Sequence, residues 1–164
     1  MDLLNKIKDA GVVGCGGAGF PTHIKLNAKP DYFIINGAEC EPLLHTDRYI
    51  MRHLADRLIA GADAICRELS VREGYIALKK TYREEIRALE DAIRRAGSAM
   101  KIHTMDSFYP AGDEQVIVYE VTGRVVPPSG IPLDVGAVVD NAATVLAVND
   151  AVHGIPFTEK YLSV

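Results

Sequence analysis

Along the 164 residues, four short runs of apolar, β-branched and aromatic residues alternate with stretches whose apolar positions recur every three or four residues. Such alternation restricts a chain more than its composition does. Consecutive parallel strands need crossover helices, and those helices must cover the sheet. The strand-like runs are 31–36, 74–78, 100–105 and 135–139, and 157–164 reads as an added edge strand. Residues 2–10 carry Leu3, Leu4 and Ile7 at helical spacing and stop at Gly11. From 47 to 69, Ile50, Leu54, Leu58, Ala62, Ile65 and Leu69 keep one stripe, which predicts a single long helix with Thr46 or Asp47 as its N-cap. Residues 81–96 repeat the pattern and end at Gly97, and further helices follow Gly112 and Asn141. The expected fold class is α/β, a Rossmann-like three-layer sandwich with a mainly parallel sheet, in one domain over 1–164.

A net charge of −4 and the absence of any basic run argue against a nucleic-acid surface. No apolar run approaches the roughly 20 residues that span a bilayer, and no charged-then-apolar leader opens the chain, so a cytoplasmic protein is expected. Cys15, Cys40 and Cys66 show no C-x-x-C spacing and read as free thiols, with no metal site among them. His53, Cys66 and His103 sit within regular elements and read as surface or core positions.

Chemistry concentrates in the turns. Between Gly11 and Gly19, five of nine residues are glycine, and Phe20, Pro21 and Thr22 then open a short helix that carries Lys25. Glycines free a loop to approach a ligand with its backbone amides, and a helix start and a lysine add positive potential. This is an anion site, suited to phosphate. Gly14, Gly16 and Gly19 also spell G-x-G-x-x-G, with Glu39 twenty positions on. Only Val12 and Val13 precede that loop, however, where a dinucleotide fold needs a buried strand, and no Gly-Lys-Ser/Thr follows to make a P-loop.

Three further clusters stand at the ends of strand-like runs or the starts of helices. The run 36–42, from Asn36 to Pro42, crowds Glu39 and Glu41 around Cys40. Two carboxylates beside one thiol repel each other in a plain turn, so Glu39 reads as a site residue, while Glu41 is open to either reading. Tyr109 to Glu114 contains Gly112, Asp113 and Glu114, acids that also complement a helix dipole. Asp140, Asn141 and Thr144 close the fourth strand-like run. In a parallel sheet these turns gather at one edge, where open α/β sheets bind ligands.

Taken together, Gly14-x-Gly-Gly-Ala-Gly-Phe-Pro-Thr22, Asn36-Gly-Ala-Glu-Cys-Glu-Pro42, Tyr109-Pro-Ala-Gly-Asp-Glu114 and Asn141-x-x-Thr144 resemble the FMN-binding domain of the respiratory complex I flavoprotein. The likeness is nearer to the related domains of the RnfC component of Rnf complexes and of microcompartment cobalamin reductases, and it covers nearly the whole chain. It implies that Gly14, Gly16, Gly17, Lys25, Asn36, Glu39, Gly112, Glu114, Asn141 and Thr144 line an FMN site, with Glu41 and Asp113 beside them. It also implies that Phe20 lies near a nicotinamide dinucleotide, NADH. The complex I flavoprotein has an acid where this chain has Ala38, an arginine at Cys15 and an asparagine at Asp140. The implied activity is NADH:acceptor oxidoreduction, with electrons leaving FMN for an iron–sulfur or corrinoid partner. Relatives carry a ubiquitin-like domain and iron–sulfur motifs that these residues lack, so the resemblance reads the chain as the N-terminal part of a longer protein. It places that protein in the cytoplasm, at the cytoplasmic face of a membrane complex or in a microcompartment. Two rival readings are a docking domain that keeps the fold without cofactor, and a Rossmann-like NAD enzyme with Glu39 on the ribose.

Overall fold

The computed structural model describes residues 2–41 and 43–164, so Pro42 of the second motif lies outside it. Its elements run α1 (Leu3–Asp9), α2 (Thr22–Lys25), β1 (Tyr32–Asn36), α3 (Thr46–His53), α4 (Ala55–Leu69), β2 (Glu73–Lys79), α5 (Arg83–Ala96), β3 (Lys101–Met105), α6 (Glu114–Thr122), β4 (Ala137–Asn141) and α7 (Ala142–Val152). The strands form one parallel sheet in the order β3-β2-β1-β4. After stepping outward from β1 to β3, the chain returns to add β4 on the other side of β1. That reversal opens a crevice at the carboxyl ends of β1 and β4, where Asn36 and Asn141 are register partners.

Side-chain alternation on the strands divides the core into two layers. Phe33, Ile35, Ile76, Leu78 and Val138 point into the larger one, against Ile7 of α1, Leu58, Ile59, Ala62 and Ile65 of α4, Leu89 of α5 and Val145 of α7. Ile34, Ala77 and Val139 face the smaller layer, filled by Ile117 and Val118 of α6. The three-layer α/β expectation therefore holds. α4 and α7 pack closely at Gly61, where an added Cβ would lie 2.5 Å from the Val145 carbonyl oxygen. No helix among the described residues is long and apolar enough to cross a membrane.

Four expectations need correction. The long helix of 47–69 is two helices, broken at Leu54, whose φ of −123° and ψ of 24° leave the helical region. The apolar stripe runs through the break because Ile50, Leu54 and Leu58 keep a spacing of four, and both halves pack against α5 and α7. The fourth strand begins two residues later than its apolar run, because Pro132–Val135 forms a 3-10 turn closed by Gly136 at φ +75°. Asp140 and Asn141 thus belong to the strand itself. The tail 157–164 forms no strand: Phe157 donates its N–H to the Ala10 carbonyl at 2.8 Å, and Tyr161 stacks on Tyr49. Pro21 precedes the helix as its cap residue instead of entering the first turn, and that helix is a single turn of four residues.

Candidate functional site

The glycine loop leaves α1 at Gly11 and returns beside itself, with Gly14 N–H donating to the Phe20 carbonyl (2.9 Å) and Thr22 N–H to that of Val12 (3.2 Å). Between these ties, Gly17 and Gly19 take φ of +118° and +62°. Among the described residues, the amides of Gly16, Gly17, Ala18 and Gly19 find no acceptor, and all four residues are exposed. Successive free amides of this kind make a concave donor surface for an anion. Gly16 stays glycine for a second reason: an added Cβ would come within 3.0 Å of Asn141 Nδ2.

A hydrogen-bonded relay fixes the loop to α7. Cys15 N–H donates to Thr144 Oγ1 at 2.9 Å, and the Thr144 hydroxyl donates to Asn141 Oδ1 at 2.5 Å. The relay occupies the Asn141 oxygen and leaves its NH₂ facing the loop. On the other strand, Asn36 accepts from Ala38 N–H (3.1 Å) and donates to the Gly112 carbonyl (2.9 Å), which joins the end of β1 to the turn before α6. Gly112 is held there by packing, since its N–H donates to Cys40 Sγ and an added Cβ would lie 2.2 Å from the Ala38 carbonyl oxygen.

These segments enclose a cleft of about 200 Å³ lined by Gly14, Gly16, Ala18, Gly19, Lys25, Asn36, Gly112, Glu114, Asp140, Asn141 and Thr144. Eight of the thirteen residues named from sequence are in that lining. Gly17 is elsewhere in the exposed loop, and Phe20 stands 51% exposed outside the lining. Asp113 caps α6, accepting from the N–H groups of Gln115 (2.9 Å) and Val116 (3.1 Å). Glu41 is exposed. Glu39 instead accepts from Asp47 N–H at 2.9 Å, so it caps α3 from outside the helix. Asp47, expected to be that cap, reaches across to accept from Ala143 N–H at 3.3 Å in the first turn of α7. Burial and the neighbouring Glu39 carboxylate push Asp47 up to about 7.

Within the cleft the charge is unusually arranged. Lys25 Nζ lies 3.1 Å from Asp140 Oδ1 and 3.5 Å from Glu114 Oε1, and it donates to the Val139 carbonyl. Glu114 is half-exposed, whereas Asp140 is 4% exposed and its Oδ2 has no partner among the described residues. Burial pushes the Asp140 carboxyl up to about 6, against the pull of Lys25. Ala18, Gly19 and Asp140 were not in the set of lining residues read from sequence. For Asp140 a signal existed, because a carboxylate ending the apolar run Ala137-Val-Val139 of a parallel strand has few uses apart from a site.

The donor set fits a flavin nucleotide. Four free loop amides and an ammonium suit a phosphate, the Asn141 NH₂ suits a carbonyl or phosphate oxygen, and the orphaned Asp140 Oδ2 can accept from a ring or hydroxyl N–H or O–H.

Comparison with known proteins identifies the family. Residues 7–150 match the family model described as the Nuo51 FMN-binding domain. The chain is 43% identical to a cobalamin reductase, PduS, of Citrobacter freundii over 99% of its own length and 36% of the relative's. It is 38% identical to the C component of a proton-translocating ferredoxin:NAD(+) oxidoreductase complex of Clostridium ljungdahlii, over 99% and 36% of the two chains. Among solved structures, an NAD+-reducing NiFe hydrogenase in its H₂-reduced state superposes with a TM-score of 0.81 at 28% identity, covering 92% of this chain and 30% of that one. The chain thus spans about a third of the length of the curated relatives it matches. With most of its length matched and its sheet in the expected parallel order, the chain belongs to the Nuo51 FMN-binding domain family.

Proposed function

We propose that the cleft at the β1/β4 crevice holds FMN, and that the domain accepts a hydride from NADH and releases electrons singly to an iron–sulfur or corrinoid partner. The observation that carries the reading is convergence: four separate turns, spaced over 130 residues of sequence, bring loop amides, Lys25 and two asparagines to one cleft at the sheet's switch point. Once bound, FMN supplies the exchange between two-electron and one-electron chemistry, and the protein positions and tunes it.

The chain's own residues then have separable tasks. Gly16 to Gly19 offer amides to the phosphate, and Lys25 balances its charge. Asn141, with its oxygen held by Thr144, is left to donate from its NH₂. Asn36 and Gly112 brace the opposite wall. A cleft of about 200 Å³ is smaller than the roughly 300–1,000 Å³ of sites that enclose a whole ligand, so it grips part of the nucleotide and leaves the rest over the open rim. Phe20, exposed and adjacent to the lining residue Gly19, supports a place for the nicotinamide dinucleotide near the cleft. The names of the relatives, a cobalamin reductase and a component of a ferredoxin:NAD(+) oxidoreductase complex, support corrinoid or iron–sulfur acceptors.

The test is a titration of cofactor-stripped protein with FMN, followed by flavin fluorescence, and then anaerobic addition of NADH. Saturable quenching followed by bleaching of the flavin absorbance is expected. Quenching without bleaching would move the electron donor to another partner. A folded protein that does not quench FMN would end the flavin reading in favour of a docking domain.

A further inference from the structure

The cleft is built for an anion yet carries more negative than positive charge. Lys25 on α2 is the one ammonium in its lining, and it serves two carboxylates, Asp140 on β4 and Glu114 on α6. With all three ionised the cluster nets −1. The glycine loop adds the Cys15 thiol within reach of the Asp140 charge, and burial pushes that thiol up, so it contributes no negative charge near neutral pH. The strand beside β4 presents apolar Ile35 opposite Asp140. Asp140 is therefore a buried carboxylate with half a partner: Oδ1 meets a shared ammonium, and Oδ2 meets nothing among the described residues. An arriving phosphate competes for the same ammonium.

We propose that Asp140 is a proton-coupled positioning residue, which when ionised holds Lys25 back against the Val139 carbonyl, and which takes up a proton and releases Lys25 when FMN binds. The proposal rests on the flavin reading above. Its direction follows from electrostatics. The phosphate's negative charge and the withdrawal of Lys25 both favour the protonated acid. Burial has already brought the carboxyl up to about 6, so a further rise falls in the physiological range. Because the complex binds the extra proton more tightly than the free protein, FMN affinity is greatest below the free value and falls as pH rises through the value in the complex. A further rise of about one unit makes the affinity about tenfold weaker on the alkaline side than on the acid side.

Isothermal titration of the chain with FMN, in two buffers of different protonation enthalpy, counts the protons taken up. The count for the native protein is expected to exceed that for Asp140→Asn by about half a proton per FMN near pH 6.5. The phosphate's own titration is common to both proteins and cancels in the difference. The variant is also expected to bind FMN about tenfold more tightly than the native chain near pH 8, and equally near pH 5.5. Equal proton counts with intact binding would overturn the proposal and leave the flavin reading standing. Absence of FMN binding by both folded proteins would overturn the two together. Should Asp140→Asn fail to fold, a carboxyl-carbon NMR titration of the native chain decides the matter. An upward move of the Asp140 midpoint on adding FMN supports the proposal, and an unmoved midpoint overturns it.

Discussion

Two buried carboxylates in this molecule meet opposite fates. Glu85 on α5 is wholly buried, yet Arg48 (2.9 Å) and Arg52 (2.8 Å) both reach its Oε1, while Arg52 also holds Glu84 at 2.7 Å. Burial pushes the Glu85 carboxyl up, but hydrogen bonds from the backbone and from both guanidiniums outweigh it and hold the group below the ordinary range. Asp140 is almost as closed to solvent but is crowded far more densely by protein, has one ammonium shared with Glu114, and ends above the ordinary range. Denser burial and fewer cations act in the same direction on it. Two guanidiniums against two carboxylates close the α3–α5 cluster electrically, which suits a joint between helices. One ammonium against two carboxylates leaves the cleft open, which suits a place where a ligand completes the charge balance.

The sharpest way to break that contrast is at the closed cluster. Glu85→Ala leaves two guanidiniums facing each other at the α3–α5 joint, and breaking such a pair costs about 3 kcal/mol. Urea denaturation is expected to show that loss, with FMN affinity unchanged in the fraction that stays folded. A loss below about 1 kcal/mol would mean that water solvates the cluster as it does a surface pair.

The open cluster should show the opposite pH signature. Folding raises the Asp140 carboxyl from 3.8 to about 6, so between those values the folded state holds more protons than the unfolded one. Stability from this group is then present in acid and lost as pH rises, by roughly 3 kcal/mol across the interval. Asp47, raised to about 7 by burial and Glu39, works in the same direction. Relative to Asp140→Asn, the native chain is expected to lose that amount between about pH 4 and pH 6.5, measured as urea midpoints at each pH. Parallel curves for the two proteins would place Asp140 in contact with solvent.

How much of this could be read in advance depends on whether the determinant is local. The glycine loop, the strand ends at Asn36 and Asn141 and the turn at Gly112 are local signals, and period-two and period-3.6 patterns placed them around one sheet edge. The break at Leu54 was hidden because the apolar stripe continues through it and both halves pack against α5 and α7, so no change of pattern marks it. Asp47 lies where the cap of α3 is expected but reaches across to α7, while Glu39, read as a site residue, takes over the cap of α3, a choice made by tertiary packing. The tail 157–164 has strand-like composition and lies beside α1 and α3 because it bonds Ala10 and stacks on Tyr49. Gly112 reads as a ligand-approach glycine, yet the Ala38 carbonyl explains why no side chain fits there.

Smaller effects are expected where the contrast is tested through its cation. Lys25→Met removes the one positive side chain of the cleft lining, and a charge-assisted contact to phosphate contributes about 1.5–3 kcal/mol, so FMN affinity should fall by about ten- to a hundredfold. The same substitution deprives Asp140 of its only ionic partner among the described residues. Near pH 8 its effect on affinity should therefore be larger in an Asp140→Asn background than in the native one, because the native carboxylate already holds the ammonium back from the phosphate. Additive losses in this double-mutant cycle would show that the ammonium meets the phosphate without first leaving the carboxylate.

Glu114 gives the smallest effect and the finest discrimination. It is as near to Lys25 as a weak ion pair allows, at 3.5 Å, but it stands half in solvent, where such pairs contribute less than about 1 kcal/mol. Glu114→Gln removes a carboxylate that competes for the ammonium, so FMN affinity should rise by about two- to threefold, and added salt should erase the difference. Asp140→Asn acts on the same ammonium from the buried side, where salt screens little, so its tighter binding near pH 8 should survive in salt. If the two variants respond to salt alike, depth does not separate them, and the cleft behaves as an open surface with Asp140 no different from the carboxylate at its rim.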